Sequence, residues 1–253
     1  MGDRTLKKLP MIAILKEAIR AVAEKRFVLF RGLIGTILVL AVCDVAFSLV
    51  VRHVVKASTW GLFLLSLVVY MFLGALFGTL VAVTCHRIIL LGESSVPKYG
   101  LHSWTSRETR FLGWSAVLAF FMSIAVVPFG IGAIFVPKEY RNYLVFLALL
   151  PAGYLFARFA VLLPSTAVGE RHNTDWAWNI TANNGWRLFA LLMLAPAVSS
   201  VVTKVFPTEL GTFTDFLSRL LGYVVMTIEI VVLSLSFRFL MAGQTPQPPA
   251  EGT

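Results

Sequence analysis

The chain has 253 residues, 58% of them hydrophobic and only 14% charged, with a net charge of +9. A soluble domain runs nearer roughly half apolar and a quarter charged, so too little polar residue is present here to coat a water-facing core. The Lys and Arg residues flank apolar stretches, a pattern that sets membrane topology and attracts anionic headgroups, and it speaks against nucleic acid as a partner.

Residues 1–26 lack the compact apolar run and small-residue cleavage site of a signal peptide. Met1-Gly2 hints at myristoylation, but Leu6 stands where Ser or Thr is required. From Pro10 to Arg26 the spacing predicts an amphipathic helix. Ile12, Leu15, Ile19 and Val22 form its apolar stripe, and Lys16, Glu17, Arg20 and Glu24 lie opposite. Such a helix is expected to rest in the cytoplasmic interface.

Six apolar stretches follow: Phe27 to Val51, Trp60 to Leu91, Phe111 to Val136, Asn142 to Val168, Trp186 to Phe206 and Phe216 to Ala242. Each reaches the roughly 20 residues that cross a bilayer core as a helix. Sixteen of the 22 Lys and Arg residues fall on the N-terminal side of this map, which places both chain ends in the cytoplasm. The expected fold is therefore all-α. A cytoplasmic interfacial helix (1–26) precedes a six-helix transmembrane bundle (27–242) and a disordered Pro- and Gln-rich tail (243–253). The connections around Trp104 and around Trp176, Trp178 and Trp186 read as short interfacial helices. They echo each other weakly enough that an internal duplication stays open.

Ionisable residues inside spans are the first candidates for function, because lipid tolerates them poorly. Asp44 falls in the outer half of the first span, Arg158 in the inner half of the fourth and Glu229 near the middle of the sixth. Each reads either as part of a polar pathway or headgroup site, or as structural pairing or snorkelling. His86, Arg87 and Glu93 sit at the inner mouth of the second span, where a proton-transfer role competes with lipid-phosphate binding. Gly74, Gly78 and Ala82 form a small-residue stripe that lets another helix approach, within the bundle or from a second copy. Pro128, Pro151 and Pro196 are expected to kink three spans. Cys43 and Cys85 lie towards opposite ends of the map, so no disulfide is expected. No G-x-S-x-G elbow, P-loop, dinucleotide-binding glycine run, H-E-x-x-H or His/Cys cluster occurs, so no cofactor or metal is implied. Asn179-Ile180-Thr181 matches a sequon that would face the cytoplasm.

The run Cys85-His86-Arg87-Ile88-Ile89-Leu90-Leu91-Gly92-Glu93 resembles the end of the second helix in a group of uncharacterised bacterial, mainly proteobacterial, six-helix membrane proteins. Cys85 stands where that group often has Trp. A second stretch, from Tyr154 through Arg158, Leu163-Pro164 and Ala177-Trp178 to Asn184-Gly185-Trp186-Arg187-Leu188, is similar to those proteins. It is distantly similar too to the membrane domain attached to some glycerophosphodiester phosphodiesterases. The resemblance covers about a third of the chain. It implies the six-helix fold, a bacterial cytoplasmic (inner) membrane and lipid-related work. It does not imply the hydrolase activity, since no phosphodiesterase barrel is appended.

The resulting expectation is a non-enzymatic inner-membrane protein that handles or senses lipid or assists assembly of a membrane complex. Arg87, Arg107, Arg110, Trp178, Trp186 and Arg187 would form a basic, Trp-rich collar on anionic headgroups. A membrane-protein partner or a homo-oligomer stays open. The rival expectation is a small-solute or ion transporter that uses Asp44 and Glu229 in one water-filled cavity.

Overall fold

A computed structural model describes residues 7–57, 60–97, 104–205 and 213–243, and every regular element among them is helical. The initial residues 1–6, the stretch from Lys98 to Ser103 and the expected tail from Gln244 onward lie outside the described residues. The helices are α1 (Met11–Glu24), α2 (Arg26–Ala57), α3 (Trp60–Leu90), α4 (Ser106–Gly132), α5 (Lys138–Phe159), α6 (Leu162–Ala167), α7 (Thr174–Ile180), α8 (Gly185–Val205) and α9 (Phe213–Ala242). Five segments are long and apolar enough to cross a membrane: Arg26–Val54, Trp60–Leu90, Ser106–Phe135, Leu147–Ala167 and Phe216–Ala242. The apolar part of α8 is shorter, Gly185–Val198.

Local chemistry explains several boundaries. Thr105 caps α4, and Glu108 reaches back to the Thr105 backbone N–H, a capping box that satisfies free donors of the first turn. Asn173 caps α7 through its side chain, which accepts from Trp176 N at 2.9 Å. The stretch expected as one span over Asn142 to Val168 is broken at Ala160–Val161, between α5 and α6. Pro164 contributes to that break because it has no N–H to extend the α5 ladder. Pro128, Pro151 and Pro196 each lie inside a helix that continues past them.

The core is concentrated at the end of the bundle that carries α1. Leu9, Ile88, Val161, Leu162, Ile180, Leu188 and Val231 are fully enclosed there. Towards the other end the helices bare large apolar side chains. Met71 and Phe72 on α3 are 63% and 61% exposed. Surfaces of that kind are stable only against hydrocarbon.

The helix α1 packs mainly on α9, with further contacts to α2 and α8. Its enclosed residues are Ile14 and Ala18, while Ile12 and Ile19 of the expected stripe point outward. The apolar face is thus rotated from the one read off the spacing. Ala18 and Ala21, too small to weigh in a hydropathy stripe, give the closer approach to the bundle. A short connection of the chain before α1 is fixed as well. Leu9 N donates to Asn184 Oδ1 at 2.7 Å, and Asn184 Nδ2 donates to the Lys7 carbonyl at 3.1 Å.

The closest helix approaches use glycines that the small-residue stripe did not single out. A Cβ on Gly153 would sit 2.8 Å from the Phe189 ring, and one on Gly185 would sit 2.8 Å from the Tyr154 ring. These positions seat α5 against α8 and its N-terminus. By contrast a Cβ on Gly74 or Gly78 meets nothing within 4 Å. Gly153→Leu is therefore expected to lower stability by about 1–3 kcal/mol through overpacking, with Gly78→Leu near neutral. Thermal denaturation in detergent checks this, and the reverse ranking would refute the packing assignment.

Candidate functional site: intramembrane polar groups and two clefts

Asp44 does not stand alone. Its Oδ1 accepts from Tyr70 Oη of α3 at 2.8 Å and its Oδ2 accepts from Tyr223 Oη of α9 at 2.7 Å. The Arg219 guanidinium lies 3.5 Å from Oδ2 and also donates to Ser48 Oγ at 2.8 Å. Ser48 Oγ in turn donates to the Asp44 carbonyl at 2.8 Å. One carboxylate thus ties three helices together, and its lone pairs are spent on the protein. A group so held is a structural pin, since a mobile proton or ion would have to displace a guanidinium and two phenols.

Glu229 has a different setting. It is half-buried and has no hydrogen-bond partner among the described residues. It lines a cleft of about 450 Å³ between α3, α4 and α9. Gly74, Gly78 and Ala82 form one wall and Ser115, Ala116 and Ala119 the other. The small-residue stripe is therefore the wall of an opening. Asp44 does not line this cleft, so the two acids are not brought together.

The expected inner-mouth group divides three ways. His86 turns into the bundle, where it is 1% exposed and its Nδ1 lies 2.7 Å from Ser234 Oγ. It lines the same cleft as Glu229. Arg87 donates from Nε and Nη2 to the Ser95 carbonyl, at 3.1 and 2.8 Å, and from Nη1 to the Ala167 carbonyl at 3.4 Å. It clamps the turn that follows α3. Glu93 pairs with Arg31, and both remain about half exposed.

The proposed collar is largely occupied by the protein itself. Arg187 Nη1 donates to the Leu9 carbonyl at 2.7 Å. Arg107 forks onto Glu108 at 2.9 and 3.0 Å, and Glu108 is fully enclosed. Trp186 packs on Tyr154 with ring centroids 4.6 Å apart. Trp178 and Trp186 keep exposed faces, at 43% and 64%, and among the arginines the exception is Arg110. Its Nε donates to the Ser106 carbonyl at 3.2 Å, but its Nη1 has no partner.

Arg158 is buried rather than snorkelling, at 6% exposure. Its Nε donates to Thr181 Oγ1 at 3.0 Å and its Nη2 to the Trp178 carbonyl. The guanidinium carbon lies 3.4 Å from the centroid of the Trp178 ring. No carboxylate pairs with it among the described residues. Its charge is stabilised by a ring face and two neutral acceptors, which locks α5 to α7.

A second cleft, of about 480 Å³, lies between α4 and α5. Its lining is almost wholly apolar, including Trp114, Phe121, Ala125, Leu155 and Phe159, and it reaches Thr174 at the start of α7. Arg110 stands four residues before Trp114 on α4 and so on the same helix face, one turn nearer the α1 end. No cluster of three His, Cys, Asp or Glu side chains suited to a metal occurs among the described residues.

Sequence reasoning missed Tyr70, Tyr223, Ser48, Ser234 and Asn184. The first two read as ordinary aromatic residues of a span, and serine and asparagine carry no positional signal without the partner. Comparison with protein-family models, with curated proteins and with solved structures finds no match to this chain.

Proposed function

We propose that the chain is an inner-membrane protein that holds a lipid in the α4/α5 cleft, as a lipid-handling or lipid-sensing component. In this reading α8, at 21 residues, supplies a sixth crossing beside the five long ones, and both chain ends lie in the cytoplasm. The excess of Lys and Arg at the α1 end supports that orientation. The observation that carries the reading is an acyl-chain-sized apolar cleft with Arg110, a guanidinium short of one partner, a helical turn from its edge. A phospholipid satisfies both at once. Its chain fills the cleft, and a phosphate oxygen accepts from Arg110.

Filling the cleft with Ala125→Phe should remove about one lipid per chain from protein purified in gentle detergent, counted by mass spectrometry. Arg110→Gln should reduce the anionic fraction of what remains. Lipid content unchanged in both variants would overturn the reading. A transporter that uses Asp44 and Glu229 together is less well supported, because Asp44 is bound on both oxygens and stands outside the Glu229 cleft.

A further inference from the structure

We infer that the cleft between α3, α4 and α9 binds a membrane-dissolved amphiphile whose polar end donates hydrogen bonds from a hydroxyl or amine group. This deepens the lipid-handling reading and rests on it, but it concerns a separate cavity with different chemistry. The α4/α5 cleft offers almost no polar atom, whereas this one presents Glu229 and His86 inside small-residue walls.

The polarity of the site follows from its hydrogen bonds. Ser234 Oγ donates its only hydrogen to the Ile230 carbonyl at 2.8 Å. With that hydrogen on the Ile230 carbonyl, Ser234 Oγ accepts from His86, and the imidazole then carries its own hydrogen on Nδ1. In a neutral ring this leaves a lone pair on Nε2, which has no partner among the described residues. Glu229 adds carboxyl oxygens that are likewise unmatched. Ser234, which holds His86, lies five residues beyond Glu229 on α9, a rise of about 7.5 Å along that helix.

Among the described residues no hydrogen bond reaches the Glu229 carboxyl or His86 Nε2, although the Thr79 and Ser115 hydroxyls line the same cleft. Arg87, next to His86, is turned to the Ser95 and Ala167 carbonyls, and Arg107 is committed to Glu108. Unmatched acceptors in an apolar cleft are unfavourable, and a ligand donor removes that cost. The volume of about 450 Å³ suits a small amphiphile. The bare walls at Gly74 and Gly78, where even a Cβ would touch nothing, leave room for its chain. A docked protein helix fits less well, because its backbone donors are already satisfied internally and have nothing to give Glu229.

The test uses the full chain in nanodiscs and three photoreactive probes with a diazirine in the chain: a monoacylglycerol, a long-chain amine, and the dimethyl ether of the monoacylglycerol. The diol or the amine should label residues 74–82 and 112–119. The ether, lacking a donor, should label them about three- to tenfold less. A dominant amine signal identifies an ammonium ion on Glu229, and a dominant diol signal a hydroxyl. Gly78→Leu and Glu229→Leu should each suppress the labelling. Glu229→Gln, of the same shape and still an acceptor, should keep part of it. Equal labelling by the ether, or labelling outside the cleft, would refute the site. So would Gly74→Ile/Gly78→Ile altering oligomer size while leaving labelling intact, because the stripe would then be a helix-docking face. If this site fails while Ala125→Phe still depletes bound lipid, only the present inference falls.

Discussion

Asp44→Ala should destabilise the protein more than any other single substitution of an intramembrane residue considered above. The change removes the carboxylate 3.5 Å from Arg219 and leaves the Tyr70 and Tyr223 hydroxyls, on α3 and α9, without their acceptor. Each phenol hydroxyl left unmatched costs about 1–3 kcal/mol, and the lost ion-pair contact adds to that. Asp44→Asn should fall between Ala and wild type, since an amide oxygen still accepts from one phenol. Thermal denaturation in detergent gives the order. In the double variant Asp44→Leu/Arg219→Leu the two losses should be less than additive, because the contact between them is removed only once. A fully additive double variant would show that the two residues do not form a pair.

The second large effect is expected at Asn184. Its side chain is fully enclosed and holds the backbone on both sides of Lys8, through Leu9 N and the Lys7 carbonyl. Asn184→Leu leaves both groups unmatched near the core, a loss of about 1–3 kcal/mol. The loss is local, so limited proteolysis is the sharper readout. Trypsin should cut the variant near Lys7 and Lys8 much faster than wild type. Arg187→Gln, which removes the bond to the Leu9 carbonyl, should move cleavage in the same direction. Unchanged cleavage in the Asn184 variant would mean that the N-terminal segment is held by the α1 packing alone.

Features set by one stretch of chain were legible in the sequence. Long uncharged runs announce apolar helices because a helix needs only its own backbone to satisfy its hydrogen bonds. The Thr and Glu three residues apart at Thr105 went unread, and the span expected from Phe111 behind a separate short helix runs unbroken from Ser106 as α4. Asp44 and Glu229 stood out because carboxylates are costly in hydrocarbon. What separates them was not legible. Asp44 is held by the Tyr223 hydroxyl and the Arg219 charge, about 180 residues away, whereas Glu229 has no such partner among the described residues. His86 and Ser234 are likewise 148 positions apart.

The partners of the collar arginines were not legible for a related reason. Arg87 and Arg187 are bound by main-chain carbonyls, and every residue carries one, so their acceptors leave no trace in the composition. The face of α1 was misjudged because a stripe counts large side chains. The packing uses Ala18 and Ala21, whose value lies in what they leave out.

The clasp of the N-terminal segment has a consequence for biogenesis. Leu9 waits for Asn184, and Glu17 waits for Arg238, with which it pairs at 2.6 Å. The first described turns of the chain therefore reach their final place only after α9 has left the ribosome. A nascent or truncated polypeptide would hold α1 unseated, with Ile14 and Ala18 open to proteases and chaperones. Closure of this joint would mark a chain whose α8 and α9 have been made and seated.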